Sequence, residues 1–417
     1  MKTPKVVIGA GYGDEGKGLI TDYLCAKHGA DVVIRFNGGA QAGHTVQTPA
    51  GERHVFSHFG SGMYAGAATF LSKFFIVNPI AFFKEVELLY SPLRATVPDL
   101  FIDPYAMVST PYDMIINQML EQERGNGRVG AKKHGSCGLG IGETVERCEN
   151  LAHDAGILWH EVEDFPMFEA KMKYVRDVWY PTRCAQLGLD PDLGAHVAKN
   201  DNIFNNFIED TKLMATYVKV MDSDYLDGAN QIVFEGAQGL MLDQDYGIAP
   251  HITRSNTGIL NVLDICGDVG IQELDVTYVT RCYTTRHGAG PLDHELIVPP
   301  YRSIVDQTNV PNSFQGSLRF ANLDLNVIKN AIDNDLYRGS IYLPPPYMKV
   351  NAGLAVTCLD QLNGEDAKFY SGGSLVKVKS DAYGDAADYI NNFVGLKSPV
   401  IKSYGPTRAD VIQKEIV

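Results

Sequence analysis

Apolar residues along this chain fall into short runs separated by glycine-rich or amphipathic stretches, and that alternation sets the elements it predicts. Residues 5–10 are a brief apolar run that predicts a buried strand, and residues 9–18 follow as a glycine-rich loop. Residues 19–27 have helical spacing, with Leu19, Tyr23 and Ala26 on one side. Residues 31–36 are a second apolar strand, and Thr45-Val46 and Val55-Phe56, broken at Pro49-Ala50-Gly51, predict a hairpin. Asn78-Pro79 ahead of Ile80, Phe83, Val86 and Leu89 is an N-cap with proline at the first helical position. Ser109-Thr110-Pro111 starts another helix in the same way, running to about Arg124. Strand-like runs recur at 231–234, 276–283, 353–357 and 399–401, with helical patterns such as 323–332 and 386–394 between them. Strands and helices in alternation indicate an α/β protein with a large, mainly parallel central sheet flanked by helices. With no internal repeat and no low-complexity linker, residues 1–417 read as one domain, with smaller inserted parts and a helical insertion at roughly 150–225.

Composition narrows the function. The chain carries 36 Lys+Arg against 50 Asp+Glu, a formal net charge of −14. That balance argues against a protein that coats nucleic acid, while leaving room for a local basic pocket for a small phosphorylated ligand. Hydrophobic residues at 45% and charged residues at 21% exclude disorder as the main state. No apolar run approaches the roughly 20 residues of a membrane helix, and the N-terminus is too soon interrupted by glycine for a signal peptide. The seven cysteines are scattered and form no CxxC pair, which indicates reduced thiols in the cytoplasm and argues against a zinc site. The stretch 125–142, with Lys132, Lys133 and His134, is rich in glycine and base and reads on its own as a surface loop.

The candidate chemistry begins in the first loop. Gly11-Tyr12-Gly13-Asp14-Glu15-Gly16 fits the dinucleotide fingerprint GxGxxG, but two carboxylates would face a pyrophosphate there. Gly11, Gly16 and Lys17 also have P-loop spacing, giving a P-loop-like phosphate loop after the first strand, with Gly18 where Ser or Thr normally ligates Mg²⁺. A metal here needs another ligand, and Asp14 is the candidate. Backbone N–H groups and the helix N-terminus suit phosphate oxygens, and Lys17 adds a point charge. Residues 38–45, Gly-Gly-Ala-Gln-Ala-Gly-His-Thr, form a second glycine cradle in which His44 is a candidate electrophile or acid.

These residues carry a resemblance. Residues 13–18, Gly-Asp-Glu-Gly-Lys-Gly, with Ala42-Gly43-His44-Thr45, resemble the adenylosuccinate synthetase family. Gly135-Ser136-Cys137-Gly138 matches that family's Gly-Thr-Thr-Gly loop, and Phe234-Glu235-Gly236-Ala237-Gln238-Gly239, Leu242-Asp243 and residues 253–257 its central block. Residues 285–291 match a Thr-Arg-Val-Gly-Ala-Gly-Pro element, with His287 at the valine. Thr357-Cys358-Leu359-Asp360 and Ser403-Tyr404-Gly405-Pro406 fall where the base of the nucleoside triphosphate is read. The blocks run in order from residue 6 to 408.

The resemblance implies a ligase that phosphorylates O6 of a purine monophosphate and then displaces the phosphate with the amine of L-aspartate. Asp14 would take the N1 proton, while Mg²⁺, Lys17 and His44 stabilise charge on the transferring phosphoryl group. Gln238 would orient the purine, and Gly43 would offer a carbonyl to Mg²⁺ beside Asp14. The triphosphate would be held by Gly13, Glu15, Gly16, Lys17, Gly18, Gly43, His44 and Thr45, with Arg319, Asp360, Ser403, Gly405 and Pro406. The monophosphate would lie against Asp14, Gln41, Ser136, Cys137, Arg147, Gln238 and Thr253. The family's homodimer lends an arginine across its interface, and Arg147 stands near that position, although the local spacing departs from the motif.

Three departures bear on the substrate. The family's aspartate loop is Thr-Gly-Arg-x-Arg-Arg, and the corresponding residues here are Asn312, Ser313, Phe314, Gln315, Gly316, Ser317, Leu318 and Arg319, with one arginine. One of the lost arginines approaches the ribose 2′-hydroxyl in the ordinary enzyme. The Thr-Lys-Leu-Asp that reads guanine in GTP has become Thr-Cys-Leu-Asp, and Leu139 stands where an arginine is usual. These features resemble the phage-type branch, the 2-aminoadenylosuccinate synthetases, which act on dGMP and usually take ATP. Many members of that branch lack the catalytic aspartate, whereas Asp14 is kept here. The expectation is therefore dGMP, L-aspartate and ATP or dATP, giving N6-succino-2-amino-2′-deoxyadenylate. The alternatives are an ordinary adenylosuccinate synthetase using IMP and GTP, and a switch-type NTPase without ligase chemistry. A dinucleotide oxidoreductase accounts for the first loop alone.

Overall fold

The first apolar run forms the strand Lys5–Gly9 at the middle of the sheet in the computed structural model of the chain. The structure describes residues 3–93, 99–127, 135–150, 152, 154–304, 317–344, 346–379 and 386–413. Among them is a ten-stranded sheet with the order Val411–Gln413, Ile401–Ser403, Lys349–Thr357, Glu273–Arg281, Lys5–Gly9, Ile232–Glu235, Val32–Arg35, Ala68–Leu71, Leu100–Ile102, Lys219–Val220. Its neighbours run parallel, and the edge pair Ile401–Ser403 with Val411–Gln413 is antiparallel. Parallel strands are covered on both faces, and the central strand is apolar on both. Val6 and Ile8 join one core cluster, while Val7 joins another with Ile20, Leu24 and Val279 on the opposite face. The chain builds outward on one side of Lys5–Gly9, then returns to build the other. That reversal puts a crevice at the carboxyl ends of the central strands, where open α/β sheets bind ligands.

The local starts follow the sequence pattern. Asn78 accepts a hydrogen bond from the Ala81 N–H at 2.9 Å ahead of the helix Pro79–Leu93. Thr110 caps Pro111–Gly125 in a reciprocal box with Asp113. The hairpin pairs His44–Gln47 with Arg53–Phe56. The helix expected at 323–332 runs instead over Leu325–Tyr342, because Asp324 caps it by accepting from the Asn326 and Val327 N–H groups. Helices between Trp159 and Tyr217 pack around Trp159, Trp179 and Phe207 in a core cluster that also takes in Leu71, Leu100 and Ile102 of the sheet. Among the described residues, no helix is long and apolar enough to cross a membrane.

Arg147 corrects an expectation. Its guanidinium has no exposed surface and is held inside its own chain. Nε and Nη2 each donate to Asp113 at 2.9 Å, Nη1 to the Ala155 carbonyl at 2.7 Å, and Nη2 to that of Val108 at 2.7 Å. It ties the Pro111–Gly125 helix start to Ile141–Glu149 and is not available to cross to another subunit.

Two stability predictions follow from these buried charges. Arg147→Met should lower unfolding free energy in urea by about 3–5 kcal/mol, because it strands the Asp113 carboxylate in the core. Asp335 is fully buried under the Ile259 N–H and the Tyr278 hydroxyl, and burial pushes its carboxyl up to about 6 against those two bonds. Its contribution is therefore full below the ordinary carboxylate range and is lost as pH rises through 6. Asp335→Asn should flatten that part of the profile, so the variant gains on the wild type between pH 4 and 7 in denaturation series.

Candidate functional site

The first glycine loop leaves Lys5–Gly9 and enters the helix Lys17–His28 through Gly16, whose φ of 90° suits glycine. A Cβ on Gly18 would lie 2.9 Å from the Thr45 carbonyl oxygen and 3.1 Å from the His44 Cβ. The place of the P-loop hydroxyl is thus closed by the second glycine loop, which packs on the first helical turn. Glu15 folds under the loop, where its carboxylate accepts the N–H groups of Gly11 at 3.1 Å and Gly13 at 2.7 Å. Lys17 donates to the Gly13 carbonyl at 2.6 Å and pairs with Glu15 at 3.3 Å. The anion cradled by these amides is therefore the chain's own, and Glu15 does not line the adjoining cleft.

That cleft has a volume of about 560 Å³. Gly13, Asp14, Gly16, Lys17 and Gly18 form one wall, and Gly43, His44 and Thr45 another. Thr357, Cys358, Asp360, Ser403, Gly405 and Pro406 line its far end, so most residues expected to hold a triphosphate open onto one space. Burial pushes the Asp360 carboxyl up, and the charge of Asp410 adds to it. The cleft also holds Arg53, Arg281, Tyr283 and Gln361, which the motifs did not single out. Arg281 Nε donates to the Asp14 carbonyl, and Nη1 donates to the Tyr283 hydroxyl at 3.0 Å. Its sequence signal was its place at the end of the apolar strand before the 285–291 block.

His44 is fixed from below. Its Nδ1 lies 2.7 Å from Glu235 Oε1, and the Ser61 N–H donates to Oε2 at 3.0 Å. Arg35 Nε stands 3.8 Å from the same oxygen. Burial pushes the Glu235 carboxyl up, but His44, Arg35 and the Ser61 bond outweigh it and hold it down at about 2. Burial pulls the His44 imidazole down against the attraction of Glu235. Glu235 therefore stays ionised and accepts from Nδ1–H, which assigns the tautomer. Nε2 is buried with no hydrogen-bond partner among the described residues, on a ring that lines the cleft.

A second group rings the other side of Asp14. The Asp14 carboxylate is 3.5 Å from His287 Nε2. Gln238 has a φ of 56°, and its backbone lies close beneath Gly13. The Oε1 atoms of Gln238 and Gln41 are buried without hydrogen-bond partners among the described residues, flanking the consecutive residues Gly38 and Gly39. Ser136 donates to Asn117 at 3.1 Å beside Cys137. The Thr253 N–H donates to the Leu242 carbonyl at 2.8 Å. Arg319 is set apart from the cleft: it pairs with Glu295 at 2.7 Å and donates to the carbonyls of Gly288 at 3.1 Å and Gly290 at 2.9 Å. Ser317 is exposed. Asn312, Ser313, Gln315 and Gly316 lie outside the described residues, as do Lys132, Lys133 and His134.

For a metal, Asp14 supplies a carboxylate and Gly43 a backbone segment on the same cleft. Among the described residues, no group of three or more His, Cys, Asp or Glu could hold an ion alone. That donor set fits Mg²⁺, which takes one or two protein oxygens and completes its sphere with water and phosphate.

Comparison with known proteins identifies the family. The profile of the family described as adenylosuccinate synthetase matches residues 6–334. The adenylosuccinate synthetase of Clostridium botulinum strain Alaska E43 is 32% identical over 305 residues, covering 70% of this chain and 65% of that protein. The chain thus spans somewhat under two thirds of that relative. The enzyme of the same name from Clostridium beijerinckii is 30% identical over 340 residues, covering 78% and 74%. Among solved structures, fully ligated adenylosuccinate synthetase from Plasmodium falciparum aligns at a TM-score of 0.72 and 20% identity, over 99% of this chain and 100% of that one. The succinoaminodeoxyadenylate synthetase of cyanophage S-2L, bound to dGMP and dATP, aligns at 0.64 and 18% identity, over 99% and 95%. At those identities the solved structures establish a shared fold, and the profile and relatives carry the assignment further: this chain belongs to the adenylosuccinate synthetase family.

Proposed function

We propose that the protein is a nucleoside triphosphate-dependent carbon–nitrogen ligase that joins L-aspartate to C6 of a 6-oxopurine monophosphate. The observation that carries this reading is the buried His44–Glu235 pair presenting an unpartnered Nε2 to the same cleft as Asp14 and the helix N-terminus. Asp14 takes the proton from N1, and O6 forms a bond to the γ-phosphorus as the bond to the β,γ-bridging oxygen breaks. A nucleoside diphosphate leaves. His44 offers its ring to an oxygen of the transferring group, held in place by Glu235. Arg281 and Arg53 add positive charge on the triphosphate side. Asp14 and Gly43 would hold a Mg²⁺, which supplies charge neutralisation on the phosphates when bound. The amine of aspartate then bonds to C6, and phosphate departs with the electron pair of the C6–O6 bond. A homodimer is part of the proposal on family resemblance alone, without Arg147 as a crossing residue.

Within that class we propose dGMP as the monophosphate and ATP or dATP as donor. The arginine-poor stretch 312–319 leaves little to select a ribose 2′-hydroxyl, and its one arginine, Arg319, is engaged by Glu295 and two loop carbonyls. Cys358 in place of lysine removes a cation from the base-reading end of the cleft, while Asp360 can accept from the N6 amine of adenine. A second reading, IMP with GTP, is favoured by the curated relatives and by the presence of Asp14.

Asp14→Ala should lower ligation by about 10²-fold or more while nucleotide binding stays measurable by calorimetry. His44→Ala should lower kcat by about 10²–10³-fold with little change in KM, the pattern of a group that acts in the transition state. Near-normal turnover of either variant overturns the mechanism.

A coupled phosphate-release assay over IMP, GMP and dGMP, each with ATP and with GTP plus aspartate, separates the substrates. Highest kcat/KM for dGMP with ATP is expected. Turnover of IMP with dGMP inert selects the second reading, and triphosphate hydrolysis indifferent to aspartate removes the ligase.

A further inference from the structure

We propose that Gln361 is a base-contact residue of the triphosphate site, whose side-chain amide donates to a ring nitrogen of adenine beside the 6-amine. The proposal rests on the reading above, in which the donor is ATP or dATP and Asp360 accepts from that amine. Gln361 is the next residue, and both line the far end of the cleft. They sit on the turn Leu359–Leu362, which follows Cys358 at the end of the strand Lys349–Thr357. The Cys358 φ of 61° lies in the left-handed region and turns the chain there.

Both the backbone and the side chain of Gln361 are held. Its N–H donates to the Cys358 carbonyl at 3.1 Å, and its own carbonyl accepts from the Ser303 hydroxyl. Arg281 Nη1 donates to the Tyr283 oxygen at 3.0 Å, and a guanidinium has no acceptor. The phenol hydrogen goes to Gln361 Oε1, at 2.5 Å. With the amide turned over, the phenol oxygen would accept twice and its own hydrogen would lack that acceptor, on a residue 1% exposed. The network therefore assigns the amide: Oε1 is committed to Tyr283, and Nε2 is the end left for an occupant of the cleft. Among the described residues Nε2 makes no hydrogen bond.

Two consecutive residues thus present an acceptor and then a donor. The 6-amine of adenine donates, and the ring nitrogens on either side of it, N1 and N7, carry only lone pairs. One adenine edge therefore answers both residues. Guanine satisfies a carboxylate differently, with N1–H and the 2-amine as two adjacent donors. Turning residue 361 from donor to acceptor separates the two bases. A second carboxylate would face the lone pair of an adenine ring nitrogen, whereas the two adjacent donors of guanine can be shared between two carboxylates.

The test is calorimetric binding of the β,γ-imido analogues of ATP and GTP, and separately of dGMP, to the full chain with Mg²⁺. Wild type, Gln361→Leu and Gln361→Glu are compared. Gln361→Leu should weaken the ATP analogue by about tenfold. Gln361→Glu should lower the ratio of ATP-analogue to GTP-analogue affinity by about tenfold or more, whatever the added charge does to both. Binding of dGMP should stay at the wild-type level in both variants. A Gln361→Leu variant that binds the ATP analogue as wild type does overturns the proposal. So does weakening that extends equally to dGMP, or a ratio unmoved in Gln361→Glu. Phosphate release on the same preparations separates this contact from the ligase reading. Aspartate-dependent release with an unmoved ratio removes the contact alone; a ratio that shifts as expected, without aspartate-dependent release, removes the ligase and supports the contact.

Discussion

The site is assembled around one buried charge. Glu235 ends the strand Ile232–Glu235 with no exposed surface, in the middle of the sheet. An unpaired carboxylate there costs several kcal/mol even after the surroundings relax. Arg35 lies directly across the parallel register, the Ser61 N–H reaches one oxygen, and His44 Nδ1 reaches the other. These partners come from a neighbouring strand, the segment after the hairpin and the hairpin's first residue. Satisfying one carboxylate therefore fixes where the second glycine loop ends and which nitrogen of His44 faces inward. The other nitrogen is left for whatever enters the cleft.

A second electrostatic feature changes how the first loop works. Lys17 has the spacing of a phosphate-binding lysine, yet its ammonium is turned toward the Gly13 carbonyl and Glu15. Within the loop the two opposite charges largely cancel. Positive potential at the cleft mouth then comes from Arg53, Arg281 and the N-terminus of the helix Lys17–His28. In a chain of net charge −14, that local concentration of cations is what a triphosphate would meet.

Much of this was legible in the sequence, and the rest was not for physical reasons. Periodicity and capping residues gave the central strand, the hairpin and the starts at Asn78 and Thr110, because those signals are local. The glycine at 18 is visible as a departure from the P-loop, but its cause, close packing of His44 and Thr45, is a long-range contact. Glu235 could be read only as part of a matching block. Its role depends on which strand lies beside it, and that is set by the strand order. Arg147 misled because its position along the chain resembles that of an exposed arginine, while the acid that captures it, Asp113, is 34 residues away. His287 was visible as a change at one motif position, yet its nearness to Asp14 appears only once residues 14 and 287 are folded together.

Asp14 is held by its backbone carbonyl, and the way it is held links the two sides of the site. Its carbonyl accepts from Arg281 Nε, Arg281 Nη1 donates to the Tyr283 hydroxyl, and that hydroxyl donates to Gln361 Oε1 at 2.5 Å. Gln361 belongs to the short turn Leu359–Leu362, which also carries Asp360 at the far end of the cleft. A continuous path of side-chain hydrogen bonds therefore runs from the turn that would read a nucleotide base to the residue that would take a proton from a purine. Both ends are anchored on adjacent central strands, Glu273–Arg281 and Lys349–Thr357. In-line phosphoryl transfer demands that attacking and leaving oxygens be set within a fraction of an ångström before reaction. A path anchored on adjacent central strands would set that separation from within the fold, before any nucleotide enters.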